Sequence, residues 1–225
     1  MKILAIIPAR GGSKGIPFKN IKLLNNKPLI HYSIESALNS KIFNHIVVST
    51  DSKLIKEKCK KYKNILIMDR DKKISNDMSP TEDVVTDVLD KIKKLKNYVP
   101  EWIFILQPTS PLREIKSIIR AKKTLNKSKI NSLLAVKKID NIPGYVTNHR
   151  LRYVEKRVSR RQDRKSYFEE SGSLYCVRYN FFIKTKKIVE KNPFTLVVTK
   201  VESIDINDNE DFQMASLIAK SNTHD

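Results

Sequence analysis

The sequence predicts an α/β fold, a mainly parallel twisted sheet with helices packed on it. Three observations lead there. Runs of consecutive apolar residues, as in strands buried on both faces, recur along the chain. Segments with helical spacing of apolar residues fall between them. A loop rich in glycine and cations, Ala9 to Lys19, directly follows the first run, at the strand end where such sheets collect ligands.

Lys2 to Pro8 is the first strand. Pro28 to Ser40 is a helix, with Leu29, Ile30, Ser33, Ile34 and Ala37 on one face. His45 to Ser49 is the second strand, Leu54 to Tyr62 a helix and Ile65 to Met68 a short strand. Ser79-Pro80-Thr81-Glu82 has the form of a capping box with proline in the first turn. Val84, Val85, Val88, Leu89, Ile92 and Leu95 then make the apolar face of a helix. Trp102 to Leu106 is a buried strand, and Ser110-Pro111 repeats the cap-then-proline start ahead of Ile115, Ile118, Ile119 and Leu125. Ser132 to Val136, Ser173 to Tyr179 and Thr195 to Val201 read as strands. Asn207 and Glu210 frame the start of a last helix, Asp208 to about Lys220. Asp140 to Glu170 is polar, Arg-rich and weakly periodic, and reads as an insertion within one domain spanning residues 1–225.

Composition narrows the function classes. The 225 residues are 40% hydrophobic and 30% charged, ordinary for a globular protein. Cys59 and Cys176 lie too far apart for a zinc ribbon or a redox CxxC, and a reduced cytoplasmic protein is expected. The run Ile3 to Ile7 is too short for a signal peptide, and none is long enough to span a bilayer; no membrane partner is expected. The formal charge is +20, but only 11 of the 44 basic residues are Arg, and the lysines are spread through nearly every segment. Aromatic residues do not interleave with them in a stripe, as single-strand binding requires. A nucleic-acid module therefore stands behind an enzyme, and no specific nucleic-acid partner is expected. The dinucleotide pattern GxGxxG is missing, which argues against a nicotinamide oxidoreductase.

Three loops carry chemistry. In the first, Gly11, Gly12 and Gly15 let backbone N–H groups converge on an anion, and Arg10, Lys14 and Lys19 add charge. A polyphosphate fits, although the Walker ending is missing. In the second, Gln107 stands at a strand exit with amide donors and an acceptor to offer. Ser110 and Pro111 there are accounted for by helix capping; Gln107 and Arg113 are not. In the third, Ser203 to Asp208, alternation puts Asp205 and Asn207 on one side. Two oxygen donors there suit Mg²⁺, which keeps waters and bridges carboxylate to phosphate. Capping of the next helix is the other account of Asn207 and Asp208.

Together these motifs resemble the acylneuraminate cytidylyltransferases, the CMP-sialic acid synthetases. The matching stretches are IIPARGGSKGIPFKN (Ile6 to Asn20), VVSTD (Val47 to Asp51), LQPTSPLR (Leu106 to Arg113), Arg161-Gln162, SGSLY (Ser171 to Tyr175) and SIDI (Ser203 to Ile206). They run in the family's order over almost the whole chain. The resemblance implies a Rossmann-like nucleotidyltransferase fold and a homodimer, with the 140–170 insertion reaching toward the partner. It implies that CTP and a nine-carbon 2-keto sugar acid (a nonulosonic acid) give the CMP-sugar and pyrophosphate. Arg10, Gly12, Ser13, Lys14, Lys19 and Asn20, with Arg70 and Thr81, would then hold the nucleotide. Gln107, Arg161 and Tyr175 would hold the sugar acid. Asp205 with Asn207 would take the metal, Mg²⁺ or Mn²⁺, and Arg10, Lys19 and Asp205 would carry the catalytic charge. Asn207 stands where the family has a second acid. Phe168-Glu169-Glu170 and Ser171 stand where a common version has Arg before Asn-Gly, which points to a bacterial sugar such as legionaminic or pseudaminic acid. The eight-carbon acid Kdo is the alternative acceptor.

Overall fold

The structure is a computed structural model, and it describes residues 1–13, 15–127, 130–154 and 165–221. Its strands are β1 (Ile3–Pro8), β2 (Leu23–Leu24), β3 (Lys27–Pro28), β4 (His45–Thr50), β5 (Leu66–Asp69), β6 (Trp102–Ile105), β7 (Ser132–Ile139), β8 (Gly144–Thr147), β9 (Arg150–Tyr153), β10 (Tyr167–Arg178) and β11 (Phe194–Val197). Its helices are α1 (Leu29–Ser40), α2 (Lys53–Cys59), α3 (Thr81–Lys96), α4 (Ile115–Lys127), α5 (Tyr179–Thr185) and α6 (Asn209–Ser221).

One seven-stranded sheet runs β11-β7-β10-β6-β1-β4-β5. All neighbours are parallel except β10, which is antiparallel to both β6 and β7. The predicted class, α/β with a mainly parallel sheet, is therefore what the chain adopts. Both faces are buried, as the apolar runs require. Ile3, Ala5 and Ile7 of β1 face α1, α2 and α4, with Ile34, Ile55 and Ile118 in that layer. Leu4 and Ile6 face α3 and α5, with Val85, Val88 and Phe182. A third cluster joins Ile16, Leu24 and Leu29 to Ile206, Phe212 and Ala215. It packs the end of the glycine loop against α6.

Several local expectations are corrected. Ser79 does not cap α3: the helix begins at Thr81 after Pro80, with no side-chain cap, and the Ser79 hydroxyl donates to the Lys73 carbonyl. The chain turns back on itself before Pro80, so the sequence pattern meets the wrong backbone. Ser110-Pro111 does not start α4 either. Three more residues pass before Ile115, and the buried Ser110 hydroxyl has no hydrogen-bond partner among the described residues. The cap of α6 is Asp208, whose Oδ1 receives the Asp211 N–H at 2.9 Å. Asp211 Oδ2 accepts the N–H groups of Asn207 and Asp208 in return, a reciprocal cap with neither Asn207 nor Glu210 as its side-chain partner. The expected strand Thr195 to Val201 ends at Val197.

The 140–170 insertion is shorter than its sequence implies. Tyr167 to Glu170 pairs with β7 as the first part of β10. Gly144–Thr147 and Arg150–Tyr153 form a hairpin turned by Asn148 and His149, both at positive φ, the geometry favoured by two-residue hairpin turns. Lys14 and residues 155–164, among them Arg161, lie outside the described residues.

Candidate active site

The candidate residues gather where the parallel strands end, in two adjoining cavities. The smaller, about 500 Å³, is lined by Arg10, Ser13, Lys19 and Asn20, by Arg70 and Thr81, and by Gln107. The larger, about 750 Å³, is lined by Gln107, Tyr175, Asp205 and Asn207, together with Lys137, Glu169, Glu170 and Lys200. Gln107 lines both and marks their junction. Gly12 borders a recess beside the smaller cavity, shared with Arg10 and Ser13.

Hydrogen bonds between loops fix the smaller cavity. The Gly11 N–H donates to Asp51 Oδ1 at 2.8 Å, so the VVSTD loop holds the glycine loop. A Cβ on Gly11 would meet Ser52 at 2.9 Å. Asn20 Nδ2 donates to the Arg10 carbonyl at 2.9 Å. Lys19 Nζ donates to the Ile206 carbonyl at 2.8 Å, and the Ile206 N–H donates to the Thr109 carbonyl at 2.8 Å. Lys19 thus binds the first loop to the third, and Ile206 the third to the second. A Cβ on Gly15 would strike the Asn207 carbonyl, so glycine there permits the same close approach.

The cations are not free in solvent. Burial lowers the Lys19 pKa below its usual 10.5; Asp205 pulls it back up and Arg10 pushes it further down. Arg70 is buried, and its guanidinium donates to Ser49 Oγ at 3.1 Å and to the Ser49 carbonyl at 2.7 Å. Burial brings its pKa to about 10, against the pull of Asp51 and Asp87. Arg10 forms an ion pair with Asp77, which stands in the loop between β5 and α3. The basic wall of the smaller cavity therefore offers donors suited to phosphate oxygens.

In the larger cavity, Tyr175 donates from its phenol to Glu170 Oε2 at 3.2 Å. Burial and that carboxylate raise the phenol's pKa well above the usual tyrosine range. Lys137 pairs with Glu169 at 2.8 Å, and Lys200 with Asp140. Gly172 has φ +70°, a left-handed conformation that glycine adopts more readily than other residues. A Cβ there would stand 3.6 Å from both Gln107 Oε1 and Asp205 Cγ.

Asp205 is the residue best suited to a cation. Its Oδ1 is buried and has no hydrogen-bond partner among the described residues; a bare carboxylate oxygen of that kind is costly. Asn207 turns its amide nitrogen toward it, Nδ2 donating to Asp205 Oδ2 at 3.3 Å. The set fits a hard cation held by one carboxylate, waters and ligand phosphate. No cluster of three or more His, Cys, Asp or Glu poised for a metal occurs among the described residues.

Sequence reasoning missed Asp77 and Gly172, and it read Gly15 only as an anion-binding glycine. Two of these are glycines inside quoted motifs whose packing role needed the fold. Asp77 lies in the loop between β5 and α3, which carries none of the family-matching stretches. His31 has a structural role: buried, it meets the Lys58 carbonyl through Nε2 at 2.9 Å.

Comparisons with known proteins bear on the family and the fold. The sequence pattern of a family described as Cytidylyltransferase matches residues 4–213. The CMP-N,N'-diacetyllegionaminic acid synthase of Legionella pneumophila is 33% identical over 229 residues, covering 99% of this chain and 98% of that protein. The N-acylneuraminate cytidylyltransferase of Streptococcus agalactiae serotype III is 29% identical over 220 residues, covering 94% of this chain and 52% of that protein. The chain thus spans about half the length of that curated relative. Among solved structures, a CMP:2-keto-3-deoxy-manno-octonic acid synthetase complexed with CTP superposes with a TM-score of 0.73 at 15% identity, covering 99% of this chain and 100% of that one. That likeness concerns the fold.

Proposed function

This chain belongs to the cytidylyltransferase family, and from that premise we propose that it activates a nonulosonic acid with CTP to give the CMP-sugar and pyrophosphate. The observation that carries the reading is the pair of cavities meeting at Gln107, one basic and one of mixed charge. The anomeric hydroxyl oxygen of the sugar acid forms a bond to the α-phosphorus of CTP. The α–β phosphoanhydride bond breaks, pyrophosphate leaves with the bonding pair, and the hydroxyl proton is released. Such transfers are catalysed mainly by positioning and charge stabilisation.

Arg10, Gly12, Ser13, Lys14, Lys19 and Asn20 hold the triphosphate and ribose in this reading, with Arg70 and Thr81 beside them. Gln107, Arg161 and Tyr175 hold the sugar acid, Arg161 meeting its carboxylate as a planar fork. A Mg²⁺ or Mn²⁺ ion, when bound, neutralises charge on the transferring phosphate. Asp205 holds that ion and Asn207 orients Asp205, a division supported by the bare Oδ1 and the Asn207 amide bond. The relative named as a CMP-N,N'-diacetyllegionaminic acid synthase and the Glu169–Glu170 departure favour a bacterial sugar of that type.

A homodimer belongs to the same reading. Its support is the β8–β9 hairpin, which exposes Tyr145, Val146 and Leu151; a second copy would cover them. A cytoplasmic setting is supported by two buried free thiols, Cys59 and Cys176. No helix among the described residues is long and apolar enough to cross a membrane.

Pyrophosphate release from CTP tests the activity, across legionaminic, pseudaminic, N-acetylneuraminic and Kdo acids, with and without Mg²⁺. Release with CTP and one nine-carbon acid is expected, with loss on the order of 10²-fold in Arg10→Ala. Silence with every acid overturns the reading. Sedimentation velocity tests the dimer, and a monomer at micromolar concentration overturns it.

A further inference from the structure

Arg113 lines neither cavity, yet it is 5% exposed and all three of its guanidinium nitrogens are engaged. Nε donates to the Ser173 carbonyl, Nη1 to Ser33 Oγ at 3.0 Å and Nη2 to the Gln107 carbonyl at 2.6 Å. The Gln107 carbonyl also receives the Ser33 hydroxyl at 3.1 Å and the Ser110 N–H at 3.3 Å. Three donors therefore converge on one backbone oxygen of the residue at the cavity junction. Fixing that peptide fixes the direction in which the Gln107 side chain leaves the backbone.

The second grip is equally placed. Ser173 follows Gly172, the left-handed turn packed against Gln107 Oε1 and Asp205. Arg113 therefore holds two backbone points, Gln107 and Ser173, on either side of the approach between the Gly172 turn and the Gln107 side chain. Its nearest counter-charges, Glu202 and Asp205, stand on the loop tied to Thr109 through Ile206. Lysine cannot reproduce this arrangement. It presents one nitrogen, whereas the three partners lie on separate elements and need a planar fork.

We propose that Arg113 is a positioning residue for the transfer. By gripping the carbonyls of Gln107 and Ser173, it sets the Gln107 amide and the Gly172 turn beside Asp205 before the acceptor arrives. The inference rests on the cytidylyl-transfer reading above. A residue that merely glued the fold would lower stability and the active fraction, with both Michaelis constants unchanged. A positioning residue acts on one substrate.

The test compares wild type with R113K, S33A and the double variant. It uses steady-state kinetics with CTP and the acid that turns over, CTP binding by calorimetry, and amide hydrogen exchange. R113K is expected to raise KM for the sugar acid at least ~10-fold, with Kd for CTP within about 2-fold. S33A, a small change that keeps the fold, is expected to raise the sugar KM about 3-fold. The double variant is expected to be no worse than R113K, because both act on one carbonyl. Exchange should quicken at Ser110 and over residues 170–174, and stay unchanged over residues 3–9. An unchanged sugar KM in both single variants overturns the proposal, as does an equal rise for both substrates. If R113K cannot be purified folded, S33A decides alone. If wild type turns over no acid, the activity reading falls, and exchange still judges the positioning: local quickening sustains it, uniform quickening or none overturns it.

Discussion

Arg10 and Asp77 form an ion pair at the edge of the smaller cavity, each side chain 31% exposed. Asp77 thereby gives Arg10 a carboxylate where an incoming phosphate would otherwise stand. The loop that carries it is bonded largely to itself, through Asp71 to Lys73 and Ser75 and through Asn76 to Lys73 and Met78. Replacing the carboxylate removes a competitor for Arg10. Asp77→Asn is expected to tighten CTP binding about 3-fold at low salt, with the gain shrinking as salt screens both contacts. Calorimetric titration at two ionic strengths checks this. Unchanged affinity would mean that Arg10 keeps its partner when the nucleotide binds.

Gly15 predicts a different loss. A Cβ there collides with a backbone carbonyl, that of Asn207, which cannot swing aside as a side chain can. Gly15→Ala must separate the glycine loop from the acidic loop, at a cost of about 1–3 kcal/mol in stability. CTP binding should fall by about 10-fold, because Lys19 and Ile206 lose their register. Gly12→Ala is the stability control, since a Cβ there meets nothing within 4 Å, and it should stay within about 0.5 kcal/mol of wild type. Thermal melts of the two variants decide the matter, and equal Tm values would contradict the close approach at Gly15.

Lys19 sets an alkaline limit. Burial lowers its folded pKa below the usual 10.5. The folded chain therefore sheds this proton at lower pH than the unfolded chain does. Between those two pKa values the unfolded state binds more protons, so this group's contribution to stability rises with pH. Phosphate binding has the opposite requirement, because it needs the charged ammonium. The kcat/KM for CTP should fall on an alkaline limb below pH 10.5, and that limb should vanish in Lys19→Arg, which stays charged. A limb that persists in the arginine variant would assign it to another group.

Much of the fold was legible because it rests on burial. The runs that became β1, β4 and β6 are apolar on both faces, and a parallel sheet covered by helices is the arrangement that buries them. The site's location was legible for a topological reason: the loops that follow β1, β5 and β6 line the smaller cavity, and Ser203 to Asp205, beyond β11, line the larger one. Helix starts were less legible. Ser79 has the right neighbours for a cap, but its hydroxyl points back to Lys73, and no local pattern encodes that path. Of the two cap candidates Asn207 and Asp208, Asp208 caps α6, and its return partner is Asp211 rather than Glu210. Arg113 could be singled out from the sequence as unexplained by capping, but its three partners come from α1, β10 and the β6 exit, which only the fold brings together.

The reversed direction of β10 has a consequence for how such a chain can diversify. The other strands of the sheet present their exits to the site, but β10 presents its entry. The chain leaving β7 at Asp140 and Asn141 and the start of β10 at Glu169 to Gly172 therefore line the larger cavity together, while the glycine loop that shapes the smaller one lies more than a hundred residues earlier. Selection can lengthen, shorten or recharge that single crossing and reshape the larger cavity, with the smaller cavity inherited unchanged.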